Sequence, residues 1–376
     1  MTTAPAAYLD PRSGETFPIG SPRWCGTAMA PLALTDLPGI GRDRVDRSLR
    51  SLWRYAASLP IAVTDPISLG EGCTPLLRSR FAGADVLLKC EWFNPTCSFK
   101  DRGASVMLSL LRQQGVRAVL EDSSGNGGAA IAAYAAAGGL AATIMAPAAT
   151  SPAKTVQMRA HGATVELIPG SRQDTSTAAE ARACEIFYAS HNWHPFFLQG
   201  TKTLAYELWE DLGFEAPDNV VIPCGAGSNV LGCAIGFGEL LRAGAIRRLP
   251  RLFAAQPAQC GPIARAFLGL APEPARPTIA EGTAIAAPIR VPEILAALRA
   301  SRGGAVLLEE REIAAATLAL AAQGIYVEPT CAQAAAAFTH LLACGTIGPG
   351  ETTVLVLTGT GIKATPRIAE LLGVDL

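Results

Sequence analysis

The sequence predicts an α/β fold of two open, twisted, mostly parallel sheets with helices on their faces. Three observations carry this. From about residue 84 short apolar runs alternate with segments of helical period. Several of those runs pass through a Gly-rich turn straight into the next helical segment, the rhythm of βα units. The chain, 376 residues with 49% hydrophobic and 17% charged, is also long enough to bury two sizeable cores or one large one.

Residues 1–60 read as an arm, Pro/Gly-rich at first and then helical over "RDRVDRSLRSLWRYAASL" (42–59). "ADVLLKCEW" (84–92) is a short apolar strand. "SFKDRGASVMLSLLRQQG" (98–115) is a helix stopped by Gly115. Strands follow at "RAVLED" (117–122), "AATIMAP" (141–147) and "ATVELIPG" (163–170). Helices alternate with them at "SSGNGGAAIAAYAAAGG" (123–139), "SPAKTVQMRAHG" (151–162) and "TSTAAEARACEIFYAS" (175–190). The pattern resumes with strand "NVVIPCG" (219–225), helix "SNVLGCAIGFGELLRAG" (228–244) and strand "RLFAAQP" (251–257). Two helices (310–324 and 333–345) then precede a buried strand in "TTVLVLTGTG" (352–361). The Pro-rich loop 271–288 is long enough to cover a cleft, and a site between two α/β domains is the expected arrangement.

Bulk chemistry excludes several classes. A net charge of −1 with no basic run gives no electrostatic case for nucleic acid or an anionic membrane. The most apolar stretch, 127–147, is Ala/Gly-rich and broken by glycines, so it reads as buried helix and strand rather than a span. The ten cysteines form no C-x-x-C pair and the four histidines show no ligand spacing, so no metal is expected. The N-terminus lacks a charged segment followed by an apolar one. Together with the scattered cysteines this points to reduced thiols in the cytoplasm.

Four segments bear chemistry. In "IPCGAGSNVLG" (222–232), Gly225, Ala226, Gly227, Ser228 and Asn229 form a strand–turn–helix whose converging amides suit a phosphate dianion; a plain tight turn has the same sequence. "EDSSGNGGAAIAAYA" (121–135) brings Ser123, Ser124 and Asn126 to a helix start, where they hold a carboxylate or simply cap the helix. "VLVLTGTGIK" (354–363) ends a buried strand at Thr358, at the end of a sheet that faces the ligand crevice. "NPTCSFKDRG" (94–103) contains Lys100, one of only five lysines in the chain. Desolvated there, its amine is partly neutral and condenses with an aldehyde; paired with Asp101, it is a surface lysine. An aldehyde with a phosphate and a ring nitrogen uses the lysine, the phosphate loop and the strand end, while an amino-acid substrate uses the carboxylate loop. Pyridoxal 5′-phosphate is that aldehyde.

The segments "SLGEGCTPL" (68–76), "NPTCSFKDRG", "EDSSGNGG", "GTKTLAYELWEDLG" (200–213), "IPCGAGSNVLG", "VEPTCAQAAAA" (327–337) and "LTGTGIK", in that order, resemble the threonine synthases of the fold-type-II, tryptophan synthase beta-like pyridoxal-phosphate enzymes. The resemblance implies an arm at 1–60, a large cofactor-binding domain at 61–103 and 205–376, and a smaller mobile α/β domain at 104–204. It makes Lys100 the Schiff-base lysine and proton shuttle, sets Phe99 beside the ring, and gives Asn126 to the ring hydroxyl. Gly225–Asn229 then hold the cofactor phosphate and Thr358 the ring nitrogen. Ser123, Ser124, Asn126 and Gly127 hold the substrate carboxylate, with Lys154 and Asn192 as candidates for the substrate phosphate. The implied reaction turns O-phospho-L-homoserine and water into threonine and phosphate. Family members are often dimers, so a homodimer with the arm on the partner is one arrangement it allows.

The pattern departs in four places: Cys97 stands for a usual glycine, and Gly127 for a frequent hydroxyl residue. Phe196 and Phe197 fall where a phosphate-gripping arginine is often found, with His191, Asn192 and His194 as substitutes. Only Cys25-Gly26 remains of a zinc knuckle found in some relatives. Arg159 and Arg290 lie outside the motifs as further sources of specificity. Two other readings stay open: a lyase or β-replacement enzyme on another amino acid, and a non-catalytic small-molecule binder on this fold.

Overall fold

A computed structural model describes residues 6–150 and 152–375, the side chains of 152–154 apart. The chain divides into two compact units, one of residues 1–72 with 100–203 and one of 73–99 with 204–376.

The first unit is built on a four-stranded parallel sheet in the order Thr164–Ile168, Ala141–Pro147, Ala118–Glu121, Phe187–Tyr188. The Lys100–Gln113 and Asn126–Gly138 helices supply nearly half of its core. In the first, every residue from Asp101 to Leu111 is buried; the second is so rich in alanine that it packs closely on its neighbours. A small antiparallel sheet (Thr16–Pro18, Ala7–Leu9, Ala33–Leu34) lies in the arm. Buried Glu71 joins arm and helices: its carboxylate accepts from Trp53 Nε1 (2.9 Å), Ser105 Oγ (2.6 Å) and Tyr134 Oη (2.8 Å).

The second unit carries a six-stranded sheet, Gly304–Leu308, Arg251–Pro257, Asn219–Pro223, Thr353–Leu357, Ala84–Cys90, Leu76–Phe81. All neighbours are parallel except the last pair. The two central strands, Asn219–Pro223 and Thr353–Leu357, are buried along their whole length, as strands covered on both faces must be. The antiparallel pair is a hairpin turned at Ala82-Gly83, both with positive φ (49° and 83°), the backbone a tight two-residue hairpin needs.

Sequence and structure differ in three places. The 42–59 stretch forms two short 3₁₀ segments, Arg42–Arg44 and Leu52–Ser58, the second interrupted at Tyr55, rather than one α-helix. The 175–190 stretch is helical only within Arg172–Arg182; Phe187 and Tyr188 leave the helix to pair with Val119 and Leu120. The Leu76–Phe81 and Gly304–Leu308 strands have too little alternation to announce themselves.

Within the second unit Lys89 is fully buried, and its ammonium bonds Glu207 (2.6 Å), Asp211 (2.7 Å) and the Thr74 carbonyl (2.7 Å). Removing one partner of a buried ion cluster strands the others' charges. Lys89→Ala is therefore expected to lower stability by about 3 kcal/mol, read from urea unfolding.

Candidate active site

In the second unit the buried Asn219–Pro223 strand runs through Cys224–Gly227 into the Ser228–Arg242 helix. Gly227 begins it at φ 85° without a side-chain cap, and the positive end of the helix lies at this turn. No larger residue fits the turn. A Cβ on Gly227 would stand 2.2 Å from Ile294 Cδ1, and one on Gly225 3.1 Å from Thr283 Cα. Asn229 is 2% exposed, yet neither its amide oxygen nor its nitrogen has a partner among the described residues.

Thr358 follows the Thr353–Leu357 strand. Its carbonyl accepts from the Phe99 N–H at 3.1 Å, and its buried Oγ1 has no partner among the described residues. Buried Ser98 Oγ is in the same condition. A buried polar atom left unpaired costs about 1–3 kcal/mol, so each of these atoms is open to a partner the chain does not supply. The turn ahead of Phe99 is held by Cys97, whose N–H donates to the Asn94 carbonyl (2.7 Å) and whose carbonyl accepts from the Thr360 N–H (3.3 Å). Cys97 sits at φ 62°, in the left-handed region that favours glycine. That explains the glycine usual in the pattern and makes the cysteine strained.

In the first unit Lys100 is the opening residue of its helix, half-buried, with Nζ 5.6 Å from the centre of the Phe197 ring. Burial pushes its amine down to about 8; Glu121 pulls the other way, and Arg172 adds to the lowering. The carboxylate loop lies in the same unit. Ser123 Oγ is in weak reach of the Gly125 N–H (3.5 Å), and Gly125, Asn126 and Gly127 start the Asn126–Gly138 helix without a side-chain cap. Ser124 and Asn126 are half-buried. Asn192 is half-buried too, its N–H donating to Ser190 Oγ (3.3 Å). The Lys154 side chain lies outside the described residues.

Sequence reasoning missed a buried charged layer under this loop. Glu121, fully buried at the end of its strand, accepts from the Asp122 N–H (3.1 Å), the His191 N–H (3.0 Å) and His191 Nδ1 (2.8 Å). Its neighbour Asp122 holds Arg172 Nη1 (2.6 Å) and Tyr188 Oη (2.7 Å). Burial lowers the His191 pKa against the pull of Glu121, so the imidazole is neutral. Partners about 70 residues apart leave no local signal; the only hint was two consecutive acids at the end of an apolar strand.

The Phe196-Phe197 pair is core. A Cβ on Gly103 would strike the Phe197 ring at 2.4 Å, so that ring is the floor beneath Lys100, and this segment offers no anion grip. His194 accepts from the Phe196 N–H (3.2 Å) as the cap of the Pro195–Thr201 helix. No group of His, Cys, Asp and Glu side chains among the described residues has the geometry of a metal site, and none of the described helices is long and apolar enough to cross a membrane.

The second unit thus offers an uncapped Gly-rich helix start and an orphaned buried hydroxyl, and the first an amine of lowered basicity, the kinds of group that pyridoxal 5′-phosphate would use. Comparison with known proteins points the same way. The model of the pyridoxal-phosphate dependent enzyme family matches residues 67–359. A threonine synthase of Methanosarcina acetivorans is 32% identical over 86% of this chain and 83% of its own length. One of Mycobacterium tuberculosis is 33% identical over 82% and 87%. Among solved structures, an L-serine ammonia-lyase of Rhizomucor miehei superposes with TM-score 0.70 at 21% identity over 80% of this chain and 98% of that one. A threonine deaminase of Solanum lycopersicum gives 0.69 at 23% over 80% and 83%. At those identities the likeness is one of fold.

Two outcomes follow from the geometry. Cys97→Gly is expected to raise stability by about 1 kcal/mol, measured by urea unfolding, because it removes a left-handed non-glycine residue. With Lys100 held near 8, the fraction of free amine falls as pH drops below that value. Its labelling by an amine-selective reagent, followed by peptide mapping, is expected to show a midpoint near 8, while exposed lysines titrate at about 10.

Proposed function

Because the chain belongs to the family of pyridoxal-phosphate dependent enzymes, we propose that it is a threonine synthase, releasing phosphate from O-phospho-L-homoserine and adding water at Cβ. The observation that carries this reading is the agreement of curated relatives: threonine synthases at about a third identity over more than four-fifths of the chain.

The cofactor, when bound, supplies an electron sink for the bond broken at the substrate Cα. The chain's own residues do the rest. Lys100, its amine free in part at neutral pH, is the residue linked to the cofactor aldehyde and the base that moves the Cα proton. Gly225, Ala226, Gly227, Ser228 and Asn229 hold the cofactor phosphate, with the positive helix end behind them. Thr358 meets the ring nitrogen through a hydroxyl, which does not force that nitrogen to carry a proton. Phe99 flanks the ring. Ser123, Ser124, Asn126 and Gly127 orient the substrate carboxylate, and Asn192 and Lys154 serve the substrate phosphate.

A second reading has its own observation. With Phe196 and Phe197 buried as core, no arginine from that segment faces a phosphate. A lyase acting on serine or threonine needs no such group. One assay separates the two: phosphate release from O-phospho-L-homoserine against keto-acid release from serine and threonine. Phosphate and threonine appearing together support the synthase; keto acid alone overturns it. In either case Lys100→Ala is expected to remove the borohydride-sensitive visible band of the holoenzyme and to lower turnover by about 10³-fold or more.

A further inference from the structure

The carboxylate loop has a second wall that neither reading uses. Any side chain at Gly127 would place its Cβ 2.8 Å from Ser123 Oγ and 2.9 Å from His191 Cε1. The hydroxyl and the imidazole therefore both close on residue 127, so tightly that only glycine fits between them. The imidazole lies on the Phe197 ring, centres 5.6 Å apart, and the Lys100 amine stands 5.6 Å over that ring. Amine and imidazole thus both adjoin the Phe197 ring within one unit.

The imidazole is also fixed in orientation and tautomer. The Glu121 carboxylate only accepts, so the 2.8 Å contact requires the hydrogen on His191 Nδ1. Backbone N–H groups of Asp122 and His191 hold that carboxylate in turn, which locks the ring. Nε2 is then a lone-pair acceptor, and it has no partner among the described residues. A histidine that only filled the core would not need a buried carboxylate to choose its tautomer.

We propose that His191 Nε2 accepts a hydrogen bond from the β-oxygen of the amino acid at this site, the hydroxyl of a β-hydroxy amino acid or the water that becomes it, with Glu121 as its positioning residue. This rests on the reading of the loop as an amino-acid site, but holds for synthase and lyase alike, since both handle an oxygen at Cβ. It makes His191 a specificity-determining residue. Burial, the largest influence, and Lys100 disfavour the charged ring, while Glu121 and Asp122 favour it, and the net is a lowered pKa.

The test uses the holoenzyme and two probes without a Cα hydrogen, so neither is turned over: 2-methyl-L-serine, which has the β-hydroxyl, and 2-aminoisobutyrate, which lacks it. In long-range ¹H–¹⁵N spectra, the His191 signals are expected to show the Nδ1–H tautomer. Nε2 should shift with 2-methyl-L-serine and stay in place with 2-aminoisobutyrate. By visible titration, His191→Asn should weaken 2-methyl-L-serine about 10-fold and leave 2-aminoisobutyrate unchanged. Glu121→Gln should lower the Nδ1–H tautomer population and reproduce part of that loss. An Nε2–H tautomer in the native protein, equal Nε2 shifts with both probes, equal losses for both, or failure of the native holoenzyme to bind 2-methyl-L-serine would each overturn the proposal. Should the variants not fold, the wild-type spectra decide alone. Absence of phosphate release from phosphohomoserine would remove the synthase reading and leave this one standing.

Discussion

The site depends on holding one cation partly out of water. A lysine in solvent is almost fully protonated at neutral pH and inert toward an aldehyde. At Lys100 burial works against the charge, the positive end of its own helix adds to that, and Arg172 does the same from a distance. Glu121 opposes them, and the balance leaves the amine near the pH at which it has to act. Around this balance the first unit is arranged in layers: an aromatic floor from Phe197, a carboxylate–imidazole pair beneath the loop, and a second acid, Asp122, tying down Arg172. The arginine is paired, so it contributes its charge without being free to collapse onto Glu121.

The second unit shows a complementary feature. Besides the satisfied Lys89 cluster it holds polar groups left wanting. Thr358 Oγ1, Ser98 Oγ and both ends of the Asn229 amide are buried without partners among the described residues, and the uncapped helix start at Gly227 adds a cluster of amides. Each lowers the stability of the unit until a partner from outside the chain satisfies it. The strained turn at Cys97 belongs to the same account, since it delivers Ser98 and Phe99 alongside the Thr358 strand end.

How much of this was legible in the sequence follows from the range of each interaction. The glycine loop, the carboxylate loop, Lys100 and Thr358 are each written within about ten consecutive residues, because tight turns need particular residues at fixed spacing. The alternation of strands and helices was visible for the same local reason, and it failed where local preference lost. Phe187 and Tyr188 leave a helical run because a strand edge at Val119 and Leu120 buries them better, and the arm's periodic stretch breaks into 3₁₀ turns. Glu121 and His191, by contrast, meet only in three dimensions. Two phenylalanines that looked like a missing arginine turn out to be core, a distinction periodicity cannot make.

The strand order of the second unit has a consequence for how the protein is made. Among the described residues, the Thr353–Leu357 strand alone bridges the early Leu76–Cys90 hairpin and the strands Asn219–Pro223 onward. During synthesis the hairpin must wait, with an open apolar edge, for a segment translated more than 260 residues later. Ribosome-bound chains ending short of that strand would hold a sheet in two pieces, natural clients for a chaperone. The buried unpartnered hydroxyl of Thr358 emerges only with the segment that closes the gap.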